Sequence, residues 1–208
     1  MTEWAGWVEQ LIAIAKIGLE FSENPYDRDR YEQIIDIAAA IGSRYSGDEA
    51  EQIKAFYTEN NGYVTPKIDV RAAIFDEDRV LMVRELSDDG RWTLPGGWCD
   101  VGDTPAESVK KEVKEEAGYE VEVVKLAAVL DRAREGHPPY PFSTYKLLFI
   151  CKVVGGDGDH IHKHETGDLH YFPIDALPAD LSPNRVLPHQ ILRLYQHAQD
   201  PTLPTDFN

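Results

Sequence analysis

Residues 97–119 read GWCDVGDTPAESVKKEVKEEAGY, and the second half of this stretch spells out a helix with both ends marked. Thr104 is an N-cap residue, Pro105 suits the first helical position, and Glu107 completes a capping box. Gly118 is placed to end the helix in a left-handed conformation. At about 100° per residue the side chains sort into three sectors. Ala106, Val109, Val113 and Ala117 form an apolar stripe suited to docking on a sheet. Glu107, Lys110 and Lys114 lie opposite and are expected in solvent. Between them Glu112, Glu115 and Glu116 converge on one arc. Carboxylates this close raise one another's pKa values unless a cation neutralises them, and hard divalent ions take all-oxygen ligand sets of this kind. By itself, Glu-x-x-Glu-Glu is also the pattern of a solvated acidic helix face.

The surrounding spacing favours the first reading. It resembles the Nudix box: a glycine, five residues, an acid, seven residues, then Arg-Glu-apolar-x-Glu-Glu-x-Gly-apolar. Here these positions are Gly97, Asp103, Lys111, Glu112, Val113, Glu115, Glu116, Gly118 and Tyr119. Two depart from the pattern. Asp103 stands where the family has Glu and Lys111 where it has Arg, and a lysine cannot reproduce the bidentate fork of arginine. In the family these two positions help to place the metal-binding acids. The resemblance implies an α+β fold: an α/β/α sandwich around a mixed sheet, here preceded by a small all-α unit. It implies two or three Mg²⁺ or Mn²⁺ ions held by Glu112, Glu115 and Glu116, with the Gly96 carbonyl and Glu165 as further ligands. The proton acceptor is then Glu116 or Glu165, with Glu115 beside them and Lys111 and Asp103 supporting.

Composition is compatible with this. The chain has 208 residues, 42% of them hydrophobic, and a formal charge of −16. That charge opposes non-specific binding to nucleic acid and anionic membranes. It does not oppose a phosphorylated substrate, because bound metal ions reverse the local sign. No apolar run is long enough to span a bilayer, and MTEWAGWVEQ lacks the basic start of a signal peptide. The two cysteines, Cys99 and Cys151, lie far apart, as expected in a reducing cytoplasm.

Along the chain, residues 2 to about 60 read as helices. Trp4, Trp7, Val8, Leu11, Ile14, Ala15 and Leu19 recur at helical spacing up to a break at Asn24–Asp27. Tyr31, Ile34, Ile35, Ala38 and Ile41 repeat the pattern to Gly42 or shortly after, and Asp48–Tyr57 is a shorter segment. So small a helical unit buries little by itself, which predicts packing on the rest of the chain or on a second copy. The expected division is residues 1–62 as a dimerising extension and 66–204 as the Nudix domain.

From Ile68 the period changes to two. Ile68, Val70, Ala72 and Ile74 begin a strand, Asp76–Arg79 turn the chain and Val80–Leu86 return. Trp92–Pro95 lead into Gly96 and Gly97. Tyr119–Arg132 and Ser143–Val154 read as strands, Asp168–Phe172 as the last strand, and Gln190–His197 as a closing amphipathic helix. His160, His162 and His164 alternate on a polar loop and read as solvent-facing in preference to a soft-metal site. The proline-rich loop Ala133–Pro141 carries His137 and Tyr140; with Arg84 and Asp168 these are candidate substrate contacts.

A narrower resemblance covers nearly the whole chain. The helical front, GYVTPKIDVRAAIF and WTLPGGWCDVGDTP are similar to a bacterial Nudix subgroup with a helical extension, which tends to dimerise and includes CDP-choline pyrophosphatases. The expected reaction is hydrolysis of a nucleoside diphosphate linked to another moiety. CDP-choline, giving CMP and phosphocholine, is the first choice and ADP-ribose the second. A silent nucleotide-sensing module and an RNA-processing hydrolase are the rivals, and the intact box carboxylates and the acidic charge weigh against them.

Overall fold

A computed structural model describes residues 3–58, 64–140, 143–158 and 166–208. Two compact units divide the chain: residues 1–66 with 139–143, and residues 67–138 with 144–208.

The first unit holds helices α1 (Glu3–Phe21), α2 (Pro25–Ser46) and α3 (Ala50–Thr58). Asn24 caps α2 by accepting from the Tyr26 amide, with Pro25 in the first turn. The α2 pattern was expected to stop at Gly42 or shortly after. It runs one turn further, to a left-handed cap at Gly47 (φ 86°). Gly42 serves contact instead: a Cβ there would lie 3.1 Å from Ile53 of α3. Val8, Ile12 and Ala38 form a small core, with Trp4, Leu11, Ile41 and Tyr57 packed around it. A cavity of about 440 Å³ in this unit is lined by Trp4, Val8, Ile53, Phe56, Tyr57 and Tyr140, among others. On α1, Trp7, Ile14 and Phe21 are 57%, 61% and 72% exposed.

The second unit is built on a seven-stranded mixed sheet. Its strands are β1 (Lys67–Asp76), β2 (Arg79–Glu85), β3 (Arg91–Thr93), β4 (Tyr119–Asp131), β5 (Thr144–Gly156), β6 (Thr166–Pro173) and β7 (Asp206–Phe207). They run in the order β3-β2-β1-β5-β4-β7, with β6 also paired to β2. The β1 and β5 strands are parallel, β4 and β5 antiparallel. Helix α4 (Pro105–Ala117) covers one face through Val109, Val113 and Ala117, which pack with Val70, Ala72, Ile74, Leu81 and Val83. Helix α5 (Pro188–Gln199) covers the other through Ile191 and Leu194, against Ala73, Val80, Met82, Leu130 and Leu148. The result is the expected α/β/α sandwich.

Strand β6 is not the last. The two-residue β7 pairs with β4 beyond α5, a pairing too short to leave any alternation in the sequence. Cys151 lies in the core and Cys99 in the loop before α4, both as free thiols, and burial pushes the Cys151 thiol up to about 12. Among the described residues no helix is long and apolar enough to cross a membrane. His160, His162, His164 and Glu165 lie outside the described residues.

Candidate active site

Helix α4 delivers the acids as its caps dictate. Thr104 Oγ1 accepts from the Glu107 amide (3.2 Å) and Glu107 Oε2 accepts from the Thr104 amide (2.9 Å). At the other end Gly118 adopts φ 68° and closes the helix onto the Lys114 carbonyl. With Val109 and Val113 fixed on the sheet, the helical period turns Glu112 and Glu116 toward the edge of β1.

The paired glycines meet them there. Residues 95–99 run alongside β1: the Ala72 amide donates to Pro95 (2.9 Å), Val70 to Gly97 (2.8 Å) and Cys99 to Ile68 (2.9 Å). The Gly96 amide then donates to Glu116 Oε2 at 2.8 Å. A Cβ on Gly97 would lie 2.7 Å from Glu112 Oε1. Gly96 itself sits at φ 143°, and a Cβ on it would strike the Val70 carbonyl and come within 2.9 Å of Arg71 Cα. No other residue type fits either position without displacement.

Burial sets the electrostatics. Glu116 is 7% exposed, and desolvation raises its pKa to about 8 despite Arg71 and the Gly96 hydrogen bond. Desolvation likewise raises Glu112 to about 7, again against the pull of Arg71. Glu115 is half-buried on the same arc. Among the described residues, no three His, Cys, Asp or Glu side chains are already gathered as a metal-binding group. The donor set nonetheless fits a hard divalent cation, because two desolvated carboxylates and adjacent glycine backbone offer oxygen ligands and lack full countercharge.

The two departures from the box meet at the loop before α4. Lys111 Nζ pairs with Asp100 Oδ2 at 2.7 Å and reaches Asp103 Oδ2 only at 4.0 Å. A single ammonium thus faces two loop acids.

The remaining candidates fall elsewhere. Arg84 stacks over Trp92 at 4.7 Å and donates to the Gly90 carbonyl at 2.7 Å. It also pairs with Asp168 at 3.6 Å, so those two candidates do come together. His137 is buried: Nδ1 donates to the Pro183 carbonyl (2.7 Å) and Nε2 lies 3.1 Å from Gln190 Nε2. Burial lowers its pKa to about 4, which leaves it neutral with Nε2 as acceptor. Tyr140 belongs to the helical unit and lines its cavity.

Sequence reasoning missed a buried array beside the glycines. Asp69 and Arg71 on β1 pair at 2.8 Å, and Lys146, across from Asp69 on β5, pairs with the same carboxylate. Arg71 and Lys146 are 5% and 1% exposed. An acid and a base two residues apart in a strand covered on both faces were the available signal. Glu85 on β2, also buried, pairs with Arg185 at 3.2 Å and adds negative charge near Glu116.

Known proteins carry the same two parts. The NUDIX domain model matches residues 65–191, and a model described as a UDP-X-like N-terminal oligomerisation domain matches residues 2–57. YjhB of Bacillus subtilis (strain 168), provisionally named an ADP-ribose pyrophosphatase, is 42% identical over 207 residues, covering 100% of this chain and 98% of its own. The crystal structure of a UDP-X diphosphatase superposes with a TM-score of 0.63 at 32% identity, covering 100% of this chain and 98% of that one. An ADP-ribose pyrophosphatase structure from Streptococcus suis 89-1591 gives a TM-score of 0.62 at 38% identity, over 69% of this chain and 100% of that one.

Proposed function

The chain belongs to the Nudix family, and we propose that Glu112, Glu115 and Glu116 hold the divalent cations with which it cleaves its substrate. It is a Nudix pyrophosphatase, acting on a nucleoside diphosphate linked to another moiety. The observation that carries the cation assignment is the carboxylate pair of half-buried Glu112 and buried Glu116, raised to about 7 and 8. Charge on both at neutral pH calls for a cation, and the resemblance of the spacing to the Nudix box supports that reading. The Gly96 carbonyl and Glu165 complete the proposed ligand set, filled by Mg²⁺ or Mn²⁺.

Held by Glu112, Glu115 and Glu116, such cations would supply neutralisation of charge developing on the diphosphate and acidification of the attacking water. The protein contributes the rest. The Gly96 amide holds one oxygen of Glu116 in place, leaving the other for a ligand or a proton. Glu116 and Glu165 are the proposed proton acceptors. Lys111, tied to Asp100 and Asp103, steadies the loop that leads into α4.

CDP-choline is the proposed substrate, on the resemblance of the whole chain to the subgroup that includes CDP-choline pyrophosphatases. ADP-ribose is the second reading, favoured by the names of YjhB and the Streptococcus suis protein. The test is kcat/KM for CDP-choline, ADP-ribose and UDP-sugars in the parent chain, with CDP-choline expected to be cleaved about tenfold or more faster than the others, a preference of about 1.4 kcal/mol. Cleavage of CDP-choline no faster than of the other conjugates removes that substrate and leaves the pyrophosphatase.

A homodimer through the helical unit accompanies this reading. Trp7, Ile14 and Phe21 recur every seven residues along one side of α1 and remain exposed. A monomer rarely leaves such a row in water, and the model matched by residues 2–57 is described as an oligomerisation domain.

A further inference from the structure

The glycine pair is a thin wall with charge on both sides. On one side stand Glu112 and Glu116; on the other lies the stem of Arg71, whose Cδ is 3.0 Å from where a Gly96 Cβ would be. The Arg71 guanidinium has every edge engaged. Nε donates to Asp69 Oδ1 (3.0 Å), Nη2 pairs with the same oxygen (2.8 Å), and Nη1 donates to the Leu94 carbonyl (3.2 Å). Leu94 leads directly into Pro95, Gly96 and Gly97. Asp69 is held in turn by Lys146 on β5.

Burying two cations and one anion is expensive. Replacing such arrays with apolar residues often stabilises a protein, so stability alone is a poor reason for this one. Its geometry offers another reason.

We infer that Arg71 is a positioning residue for the cation site: anchored by Asp69, it fixes the Leu94–Gly97 backbone from behind, so that Gly96 and Gly97 meet Glu116 and Glu112 in the ligand-ready arrangement. Lys146 supplies only the second countercharge on the far side of Asp69. The inference rests on the cation site proposed above and adds a residue to it that the Nudix box does not contain.

Two variants separate this role from simple stabilisation. Arg71→Met and Lys146→Met each remove one cation and leave a neutral pair with Asp69, so a purely structural array responds alike to both. Mn²⁺ binding to metal-free protein is measured by titration calorimetry, with thermal melting alongside. Arg71→Met is expected to weaken Mn²⁺ binding by at least about tenfold, the usual size of a lost supporting contact, and Lys146→Met by less than about threefold. Equal effects overturn the inference. So does unchanged or tighter binding in Arg71→Met, which would show that charge repulsion by Arg71 outweighs any positioning. If Arg71→Met does not fold, Arg71→Lys takes its place: it keeps the charge but loses the planar guanidinium that holds Asp69 and the Leu94 carbonyl at once, and is expected to bind Mn²⁺ at least about fivefold more weakly. Unchanged binding in that variant overturns the inference equally. Glu116→Gln serves as the control. If the parent binds no Mn²⁺, or Glu116→Gln binds it as well as the parent, the cation site itself is wrong and the role of Arg71 falls with it. Loss in Glu116→Gln beside full binding in Arg71→Met removes the positioning role alone.

Discussion

Helices α4 and α1 both bury one face and leave another unspent, and the chemistry of the leftover face differs. On α4 it is acidic and turned against glycine backbone, where Glu112 and Glu116 lose water without gaining a full countercharge. On α1 it is apolar, a row of Trp7, Ile14 and Phe21 standing in solvent. A desolvated carboxylate pair is completed by a cation and an apolar row by another apolar surface. In the proposed reading the same amphipathic device serves a reaction site in one unit and an association surface in the other.

The sharpest break in that comparison is Glu116→Gln, which keeps the shape of α4 and removes one charge. Turnover is expected to fall on the order of a hundredfold or more, the usual size of an electrostatic contribution at a reacting centre. A near-normal kcat would return α4 to an ordinary acidic surface. On α1 the corresponding change is Trp7→Asp. Loss of a buried interface tryptophan costs about 2 kcal/mol or more, so the dimer dissociation constant, read by light scattering across a dilution series, should rise about thirtyfold. A parent chain that is monomeric at micromolar concentration would cancel the α1 half of the comparison.

The two glycines sharpen the α4 half. Gly96→Ala forces a side chain onto φ 143° and into β1, at a cost on the order of 1–3 kcal/mol. Gly97→Ala meets only the end of the flexible Glu112 side chain. Thermal melting should therefore drop several degrees in Gly96→Ala and hold nearly constant in Gly97→Ala. Equal losses would mean the backbone, not the carboxylate contact, dictates both glycines.

The smallest effect is a pH dependence in metal-free protein. Glu112 and Glu116 have folded pKa values near 7 and 8, above the ordinary 4.5. The folded state then binds more protons than the unfolded one, so these groups lower stability as pH rises toward 8. His137, lowered from 6.5 to about 4, gives the opposite slope, but only below its ordinary pKa. Melting temperature should accordingly decline between pH 6.5 and 8, and Mg²⁺ or Glu116→Gln should flatten that decline. A rise over the same interval would contradict the assigned burial.

The sequence marks α4 completely because local chemistry fixes it: Thr104 and Gly118 act within a turn of themselves. Gly42 misleads for the opposite reason. It resembles a helix end, yet the requirement for glycine comes from Ile53 on another helix. Asp69, Arg71 and Lys146 escape notice similarly, since each looks like a surface charge until the parallel pairing of β1 with β5 sets Lys146 beside Asp69. The proposed acids are thus legible from spacing, whereas the buried charges beside the glycines depend on sheet register. Strand β7 is too short to be read at all.

The proposed role of α4 is to hold the cations that carry the hydrolysis. Its most direct test is cleavage of CDP-choline and ADP-ribose by metal-free protein as Mg²⁺ or Mn²⁺ is restored, with products resolved by chromatography. Release of a nucleoside monophosphate and a phosphorylated partner, rising with the cation and abolished by excess EDTA, is the predicted result. An unchanged rate in EDTA would contradict it.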